Sequence, residues 1–429
     1  MKDVVIVSAC RTAIGAFGGS LKDSHAAKLA AVAMKEAVKR AAIEPGMLTD
    51  VRFGCCLEPG DALNVARVGA LLAGIPETVT AVTINRVCTS AMEATISGMA
   101  AIQTGMDEIV LAGGTEHMSG IAYTVPSARW GCRLQDQIFV DTMMQALHVG
   151  SHLIPHPEQG PVKSGMPLEL FAGKPYIMGA TAEFVAQLHN ISREEMDAYA
   201  VESHRRVAAA QDAGHFAAEI VPLIDRDGTV YKDDDGLRRD ASMAALGKLK
   251  PFFDKPYGRV TAGNSSQITD GAAWLVLASA DSVERFGLTP LGRIVDSEWA
   301  GLAPEQMGLG PVHAALPMLQ RHGLTPPGLD AWELNEAFAA QVIACQRAFG
   351  DDDYVRTHFG LEQAPGAPAA DRFNVDGGAV ALGHPVGASG VRIVLHLLQV
   401  LRRTGGRRGV ASICIGGGQG GAMLVEALQ

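Results

Sequence analysis

Ile109-Val110-Leu111-Ala112-Gly113-Gly114 and Val410-Ala411-Ser412-Ile413-Cys414-Ile415-Gly416 carry one signal twice, a short apolar run that ends in glycines. Runs of this length, rich in β-branched residues and bounded by glycine, read as buried strands. What lies upstream of each also matches. Ser90-Ala91 opens a helical pattern ending at Thr104-Gly105, and Ser389-Gly390 opens one ending near Thr404-Gly405. Further back, Ile43-Glu44-Pro45-Gly46-Met47-Leu48-Thr49-Asp50-Val51 is echoed by Leu324-Thr325-Pro326-Pro327-Gly328-Leu329-Asp330-Ala331-Trp332. Three matches in the same order, each about 300 residues apart, mark two copies of one unit. The rest of the grammar is strand–helix alternation. Val4 to Val7 and Val79 to Ile84 read as strands, and Ala26 to Ala42, Thr89 to Gln103 and Ala314 to Arg321 as helices. That places both copies in the α/β class with a largely parallel or mixed sheet.

Between the copies, residues 118–250 have another texture. They hold Pro- and His-rich pieces, the acidic turn Asp233-Asp234-Asp235-Gly236, a helix beginning near Met178 and another at the capping signal Ser192-Arg193-Glu194-Glu195. The segment reads as a cap inserted over one copy. Asp351 to Arg372, rich in Asp, Pro and Ala, reads as a loop.

Composition narrows the partners. Of 429 residues, 48% are hydrophobic and 19% charged, enough apolar material for a sizeable core. The net charge of −10 argues against nucleic acid or an anionic membrane as the main partner, since both reward clustered positive charge. Seven cysteines without a CxxC pair argue against a disulfide scaffold and for a reducing compartment. The start, Met1-Lys2-Asp3-Val4-Val5-Ile6-Val7, reads as a strand rather than a signal peptide, and no run reaches ~18 apolar residues. A cytoplasmic protein is the expectation.

Four side chains stand at junctions where chemistry is possible. Cys88 lies between a strand and a helix start, where a helix dipole and free N–H groups lower a thiol pKa and make a nucleophile. A small buried hydrophobe is the other reading. Cys414 ends its strand at the glycine-rich turn Gly416-Gly417-Gly418, where bare N–H groups can bind an oxyanion. His384 is bracketed by Gly383 and Pro385 before a helix. Asn335, in Asn335-Glu336-Ala337-Phe338, follows a strand and is either a cap or a site residue. In open α/β sheets ligands sit at the carboxyl ends of strands, so these four can converge. Two thiols, an imidazole and an amide suit carbon–carbon chemistry through a thioester. Two other motifs do not hold up. Gly416, Gly418 and Gly421 have GxGxxG spacing, but no helix–strand continuation follows and no acidic residue stands about 20 positions on. His148, His152 and His156 have helical spacing, but Pro155 and Pro157 interrupt it, so a surface loop is expected and no metal site.

In combination these segments resemble the thiolase family over nearly the whole chain. The resemblance rests on Arg11-Thr12-Ala13-Ile14-Gly15-Ala16-Phe17-Gly18-Gly19, Asn85-Arg86-Val87-Cys88-Thr89-Ser90-Ala91, Gly113-Gly114-Thr115-Glu116-His117-Met118-Ser119, Met178-Gly179-Ala180-Thr181-Ala182-Glu183 and Thr261-Ala262-Gly263-Asn264-Ser265-Ser266. Asn335-Glu336-Ala337-Phe338-Ala339, Gly383-His384-Pro385 and Cys414-Ile415-Gly416 complete it. It implies two similar βαβαβαββ halves in five α-β-α-β-α layers, with an inserted loop domain that contacts coenzyme A. The boundaries it suggests are 1–117 and 251–280 for the first half, 118–250 for the loop domain and 281–429 for the second half. By resemblance, Cys88 is acylated while His384 takes its proton, and Cys414 moves protons on the acetyl carbon or the incoming thiol. Asn335, through a water, and His384 would form one oxyanion hole, and the N–H groups of Cys88 and Gly416 the other. Arg238 and Ser266 align with coenzyme A contacts and Met307 with the acyl pocket. The resemblance implies no permanently bound cofactor, coenzyme A and acyl-CoA as substrates, and a homodimer or homotetramer. Some thiolases of aromatic-compound breakdown, acting on benzoylsuccinyl-CoA-like substrates, work with a small zinc-containing OB-fold partner, which is a further expectation here.

The chain departs from the family pattern at Ala91, where glycine is usual, and at Ile177, where acetoacetyl-CoA enzymes often carry histidine. Residues 149–175 and 350–372 look longer than in a compact thiolase. They supply His148, His152, His156, Lys163, Lys174 and Arg356 as candidates to meet a carboxylate on a bulky, aromatic or dicarboxylic acyl group. An acetoacetyl-CoA thiolase, a ketoacyl-synthase-like condensing enzyme and a non-catalytic acyl-CoA-binding subunit are the alternatives. The second cysteine, Cys414, argues against the condensing enzyme, and the complete Cys88–His384–Cys414 set against the binding subunit.

Overall fold

The computed structural model describes residues 3–126, 128–148, 177–225 and 227–428. Its first half runs β1 (Val4–Thr12), α1 (Ala26–Arg40), β2 (Asp50–Gly54), α2 (Val65–Leu72), β3 (Thr80–Ile84), α3 (Ser90–Gln103), β4 (Ile109–His117) and β5 (Thr269–Ser279). The insertion before β5 contributes α4 (Met178–Leu188) and α5 (Arg193–Asp212). The second half runs β6 (Gly292–Gly301), α6 (Gly310–Arg321), β7 (Ala331–Leu334), α7 (Ala339–Phe349), α8 (Asp352–Phe359), α9 (Val386–Thr404), β8 (Arg408–Ile415) and β9 (Gln419–Ala427).

The duplication is visible in the strand order. The first sheet is ordered β3-β2-β4-β5-β1 and the second β7-β8-β9-β6. A parallel bridge between Trp332 and Phe373 stands beside β7 where β3 stands beside β2. β1 and β6 join the sheets edge to edge, pairing Val5 with Arg293 and Ile6 with Gly292. Helices α3 and α9 pack on each other between the sheets, with α9 touching strands of both. On the outside, α1 packs on the first sheet and α6 on the second. The result is five α-β-α-β-α layers with three apolar cores, one under α1 and α2, one around α3 and α9, and one under α6 and α7. Because α9 lies between the two sheets, most of its length is buried, polar residues such as Ser389, Arg392 and His396 included.

The insertion covers the second half. α4 and α5 both pack on α7, and Glu219, just after α5, is tied into the layers by buried charge. Glu219 accepts from Arg11 Nε on β1 at 3.0 Å and pairs with His396 Nδ1 on α9. Burial alone would lower the His396 pKa, but Glu219, Glu333 and Asp376 outweigh it and carry it up to about 10. A charged imidazole inside a bundle of acids is stable only as a set, which fixes the insertion relative to both halves.

Several boundaries differ from the sequence reading. β4 does not end at Gly113-Gly114 but runs through them to His117. The glycines are there for space, since a Cβ on Gly114 would lie 2.1 Å from the Gly387 carbonyl oxygen and 2.6 Å from that of Gly54. α9 begins at Val386, not Ser389, so Ser389 lies in its first turn. The stretch from Asp351 is not all loop. Asp351 caps α8 by accepting from the N–H groups of Asp353 and Tyr354, and Gly360 ends it in the left-handed conformation. The capping box at Ser192 and Glu195 is present as read.

Candidate active site

β3 ends at Ile84, and the next six residues form a heavily braced turn. Asn85 Oδ1 accepts the Val87 N–H at 2.9 Å, while its Nδ2 donates to the Cys56 carbonyl at 2.9 Å. Ser90 Oγ accepts the Arg86 N–H at 3.0 Å and donates to the Val87 carbonyl at 2.7 Å. These bonds hold Val87 at a φ of 47°, a left-handed conformation that a β-branched residue adopts only under constraint. Cys88 follows directly, one residue before the N-cap of α3, and is 8% exposed. Arg86 bolts this turn to the second half. Its Nε meets Glu93 at 2.6 Å, and its guanidinium lies 4.6 Å from the centre of the Trp299 ring on β6.

From the second half, the turn after β8 brings the Gly416 N–H to the Cys88 sulfur, which also has its own N–H as a donor. Cys414, at the end of β8, is buried, and its thiol is pushed well above the ordinary value by burial first and by Cys88 second. The two thiols therefore lie within each other's field. Asn335 is tied to β8 by its N–H on the Ser412 carbonyl at 2.9 Å. Its side-chain amide is fully buried, and both its polar atoms lack a partner among the described residues. Such an amide is available to a ligand or a bound water. The loop it stands on is anchored by Glu336, which accepts from Tyr199 at 2.8 Å, Ser203 at 2.7 Å and the Val380 N–H at 3.1 Å.

His384 is held just before α9. Gly383 has a φ of 101° and no room for a side chain, because a Cβ would lie 2.2 Å from Thr269 Cγ2. The His384 N–H donates to the Gln267 carbonyl at 3.1 Å, and Nδ1 faces Ser389 Oγ at 2.6 Å. Nε2 has no partner among the described residues. Burial and the nearby Arg392 charge push the imidazole pKa down to about 3. Behind the nucleophile turn, Glu116 accepts the N–H groups of Cys56, Leu57 and Gly387, joining the end of β2 to the start of α9.

The structure thus brings together Cys88, Gly416 and Cys414, ties Asn335 to β8, and holds His384 between Gln267, just before β5, and Ser389 on α9. It reverses one expectation. The helix N-terminus does not lower the Cys88 pKa, because burial dominates and pushes the thiol up to about 11, even with the Gly416 and Cys88 N–H groups pulling it down. The resting pair is a neutral thiol and a neutral imidazole. Sequence reading gave no role to Ser389, Glu116 or Glu336. All three lie in or next to quoted motifs, but their contacts come from other elements.

The ligand candidates stand on three separate segments. Arg238 is exposed on the insertion, and Gln267 Nε2 donates to the Gly236 carbonyl beside it at 2.9 Å. Ser266 donates its N–H to the Ala337 carbonyl at 2.9 Å, on the Asn335 loop. Met307 is buried in the turn Pro304–Leu309, which packs on α4. Met178, after the N-cap Ile177, puts its sulfur 3.2 Å from where a Cβ on Gly416 would stand. The segment 350–372 starts away from these residues and comes back, at Ala370, to line a cleft with Tyr199 and Glu336. It follows the far end of α7, whose 11 residues span roughly 16 Å from the Asn335 loop. Arg356 there pairs with Asp353 on the surface. Residues 149–175, with His152, His156, Lys163 and Lys174, lie outside the described residues, and of His148 only the backbone, ending the helix Thr142–His148, is described. The GxGxxG spacing is a hairpin between β8 and β9, with Gly417 and Gly418 at positive φ. No helix of the described residues is long and apolar enough to cross a membrane.

Known proteins resemble the chain along nearly its whole length. The model of the thiolase N-terminal domain matches residues 4–153 and 164–281, and that of the thiolase C-terminal domain residues 288–427. An acetyl-CoA acetyltransferase of Syntrophomonas wolfei is 40% identical over 100% of both chains. A beta-ketoadipyl-CoA thiolase of Pseudomonas aeruginosa is 41% identical over 99% of both. Among solved structures, the human mitochondrial 3-ketoacyl-CoA thiolase in complex with CoA superimposes with a TM-score of 0.86 at 38% identity, covering 100% of this chain and 98% of that one.

Proposed function

Since the chain belongs to the thiolase family, acyltransferases with coenzyme A as co-substrate, we propose that it cleaves a 3-oxoacyl-CoA with coenzyme A, or runs the reverse condensation, through an acyl-Cys88 thioester. The observation that carries this reading is the Cys88 sulfur beneath the Gly416 N–H, with a second thiol in its field. His384 Nε2 takes the Cys88 proton as the sulfur attacks the 3-oxo carbon, and the N–H groups of Cys88 and Gly416 hold the oxygen as it becomes anionic. The C2–C3 bond then breaks. The departing acetyl-CoA enolate, stabilised by Asn335 and His384, takes a proton from Cys414. Coenzyme A gives its thiol proton to Cys414 and attacks the acyl group, and Cys88 leaves with the proton from His384. Residues 118–250 serve as the loop domain that contacts coenzyme A near Arg238 and Ser266, between halves formed by 1–117 with 251–280 and by 281–429.

The preferred acyl group is bulkier than acetoacetyl. Met178 and Val87 bring an apolar wall to Gly416, with Phe253 packed against Gly179 and Phe338 beside it. Thioether and aromatic walls adapt to bulk and offer no partner to a carboxylate. A panel of short, medium, aromatic and dicarboxylic 3-oxoacyl-CoAs, compared by kcat/KM, tests this. A bulky apolar substrate is expected to exceed acetoacetyl-CoA by about tenfold or more. If acetoacetyl-CoA leads the panel, the wall does not select for bulk.

A homo-oligomer is also proposed. Among the described residues β3 ends its sheet with an unpaired edge; it exposes Val82, and Leu71 and Leu72 are exposed nearby on α2. An unpaired apolar edge is a template for another chain. Light scattering should give at least a dimer mass. A stable monomer at working concentration, or one that assembles only with a small zinc-binding partner, refutes self-association.

A further inference from the structure

Two contacts share one hydroxyl in the first turn of α9. Ser389 Oγ lies 2.6 Å from His384 Nδ1 and donates to the Pro385 carbonyl at 3.0 Å. A serine carries one proton but accepts through two lone pairs. With the proton on Pro385, Ser389 faces the imidazole as an acceptor, so the hydrogen of the neutral ring is on Nδ1. The back-bond to residue i−4 also locks the serine rotamer. Resting on the function proposed above, we infer that Ser389 is the positioning residue that holds His384 as the Nδ1–H tautomer, leaving Nε2 as the bare acceptor for the Cys88 proton.

The rest of the site makes this choice matter. The ring is buried and Nε2 has no partner among the described residues, so nothing at that end selects the tautomer. The opposite tautomer would place a hydrogen on Nε2 and leave no acceptor for the thiol. When Nε2 takes the proton, the Nδ1–H bond to Ser389 is already made and becomes charge-assisted, so nothing has to rotate. That bond offsets part of the cost of an imidazolium placed beside Arg392 and at the positive end of a buried helix.

The test is ¹⁵N NMR on protein labelled at histidine, with the His384 signals assigned by their loss in His384→Asn. Wild-type protein should show an Nδ1–H, bare-Nε2 ring. Ser389→Ala should lose that pattern and acylate Cys88 about a hundredfold or more slowly, with KM held within about twofold. Ser389→Thr, which keeps the hydroxyl, should restore both. An Nε2–H ring in the wild type overturns the inference, and needs no variant to fold. So does Ser389→Ala with an unchanged spectrum and rate. An Nδ1–H ring in a protein that acylates Cys88 with no 3-oxoacyl-CoA would instead refute the proposed function and leave the tautomer assignment standing.

Discussion

Cys88→Ser is expected to give a folded protein that forms no acyl adduct and turns over at least about ten-thousandfold more slowly. Serine fits the same buried turn and keeps an acceptor for the Gly416 N–H, so the change falls on proton transfer. With the thiol at about 11 and the imidazole at about 3, transfer already runs uphill in the resting site. It proceeds only together with attack, as the oxyanion donors take up charge. An alcohol is a weaker acid by several further units, each adding about 1.4 kcal/mol. Mass spectrometry of the peptide carrying Cys88, after incubation with 3-oxoacyl-CoA substrates, reads the adduct directly. Acylation of the serine variant at near wild-type rate would sink the nucleophile assignment. So would an adduct that the wild type carries only on another cysteine, such as the exposed Cys132.

What the sequence made legible was the part written in local pattern and repetition. The duplication placed Cys88 before α3 and His384 before α9 because element order and spacing survive in the text. Misreadings came where distant elements decide. Gly113 and Gly114 look like a strand end, yet both are interior, Gly114 required by the approach of Gly387 from the other half and Gly113 by Ala273 and Trp274 on the neighbouring β5. Ser389 reads as a helix opener, but its significance lies in a ring five residues earlier. The helix from Asp352 carried its own signals, an aspartate cap and a terminal glycine, and was obscured by the acidic composition around it. The Cys88 pKa went the opposite way because a dipole is readable from position, whereas burial is a property of the assembled layers.

Cys414→Ala should separate the two half-reactions. Acylation of Cys88 by a simple activated thioester is expected to stay within about threefold of wild type, while cleavage of a 3-oxoacyl-CoA falls by roughly 10²–10⁴, the usual worth of a positioned acid–base group. The asymmetry follows from charge. Burial and the proximity of Cys88 push the Cys414 thiol well above its ordinary value, so it is protonated at rest. That is the state needed to protonate an enolate carbon as the C2–C3 bond breaks. The same proximity opposes having both sulfurs ionised, since like charges in a buried site disfavour each other. Cys414 therefore donates only after Cys88 has been capped by the acyl group, which enforces the order of steps. Acylation by a thioester with a good leaving group needs no proton at carbon and bypasses Cys414. Single-turnover acylation and steady-state cleavage, measured on the same preparation with its melting curve checked, distinguish the cases. Equal loss of both reactions in a folded variant would mean that Cys414 supports the Cys88 turn rather than moving protons.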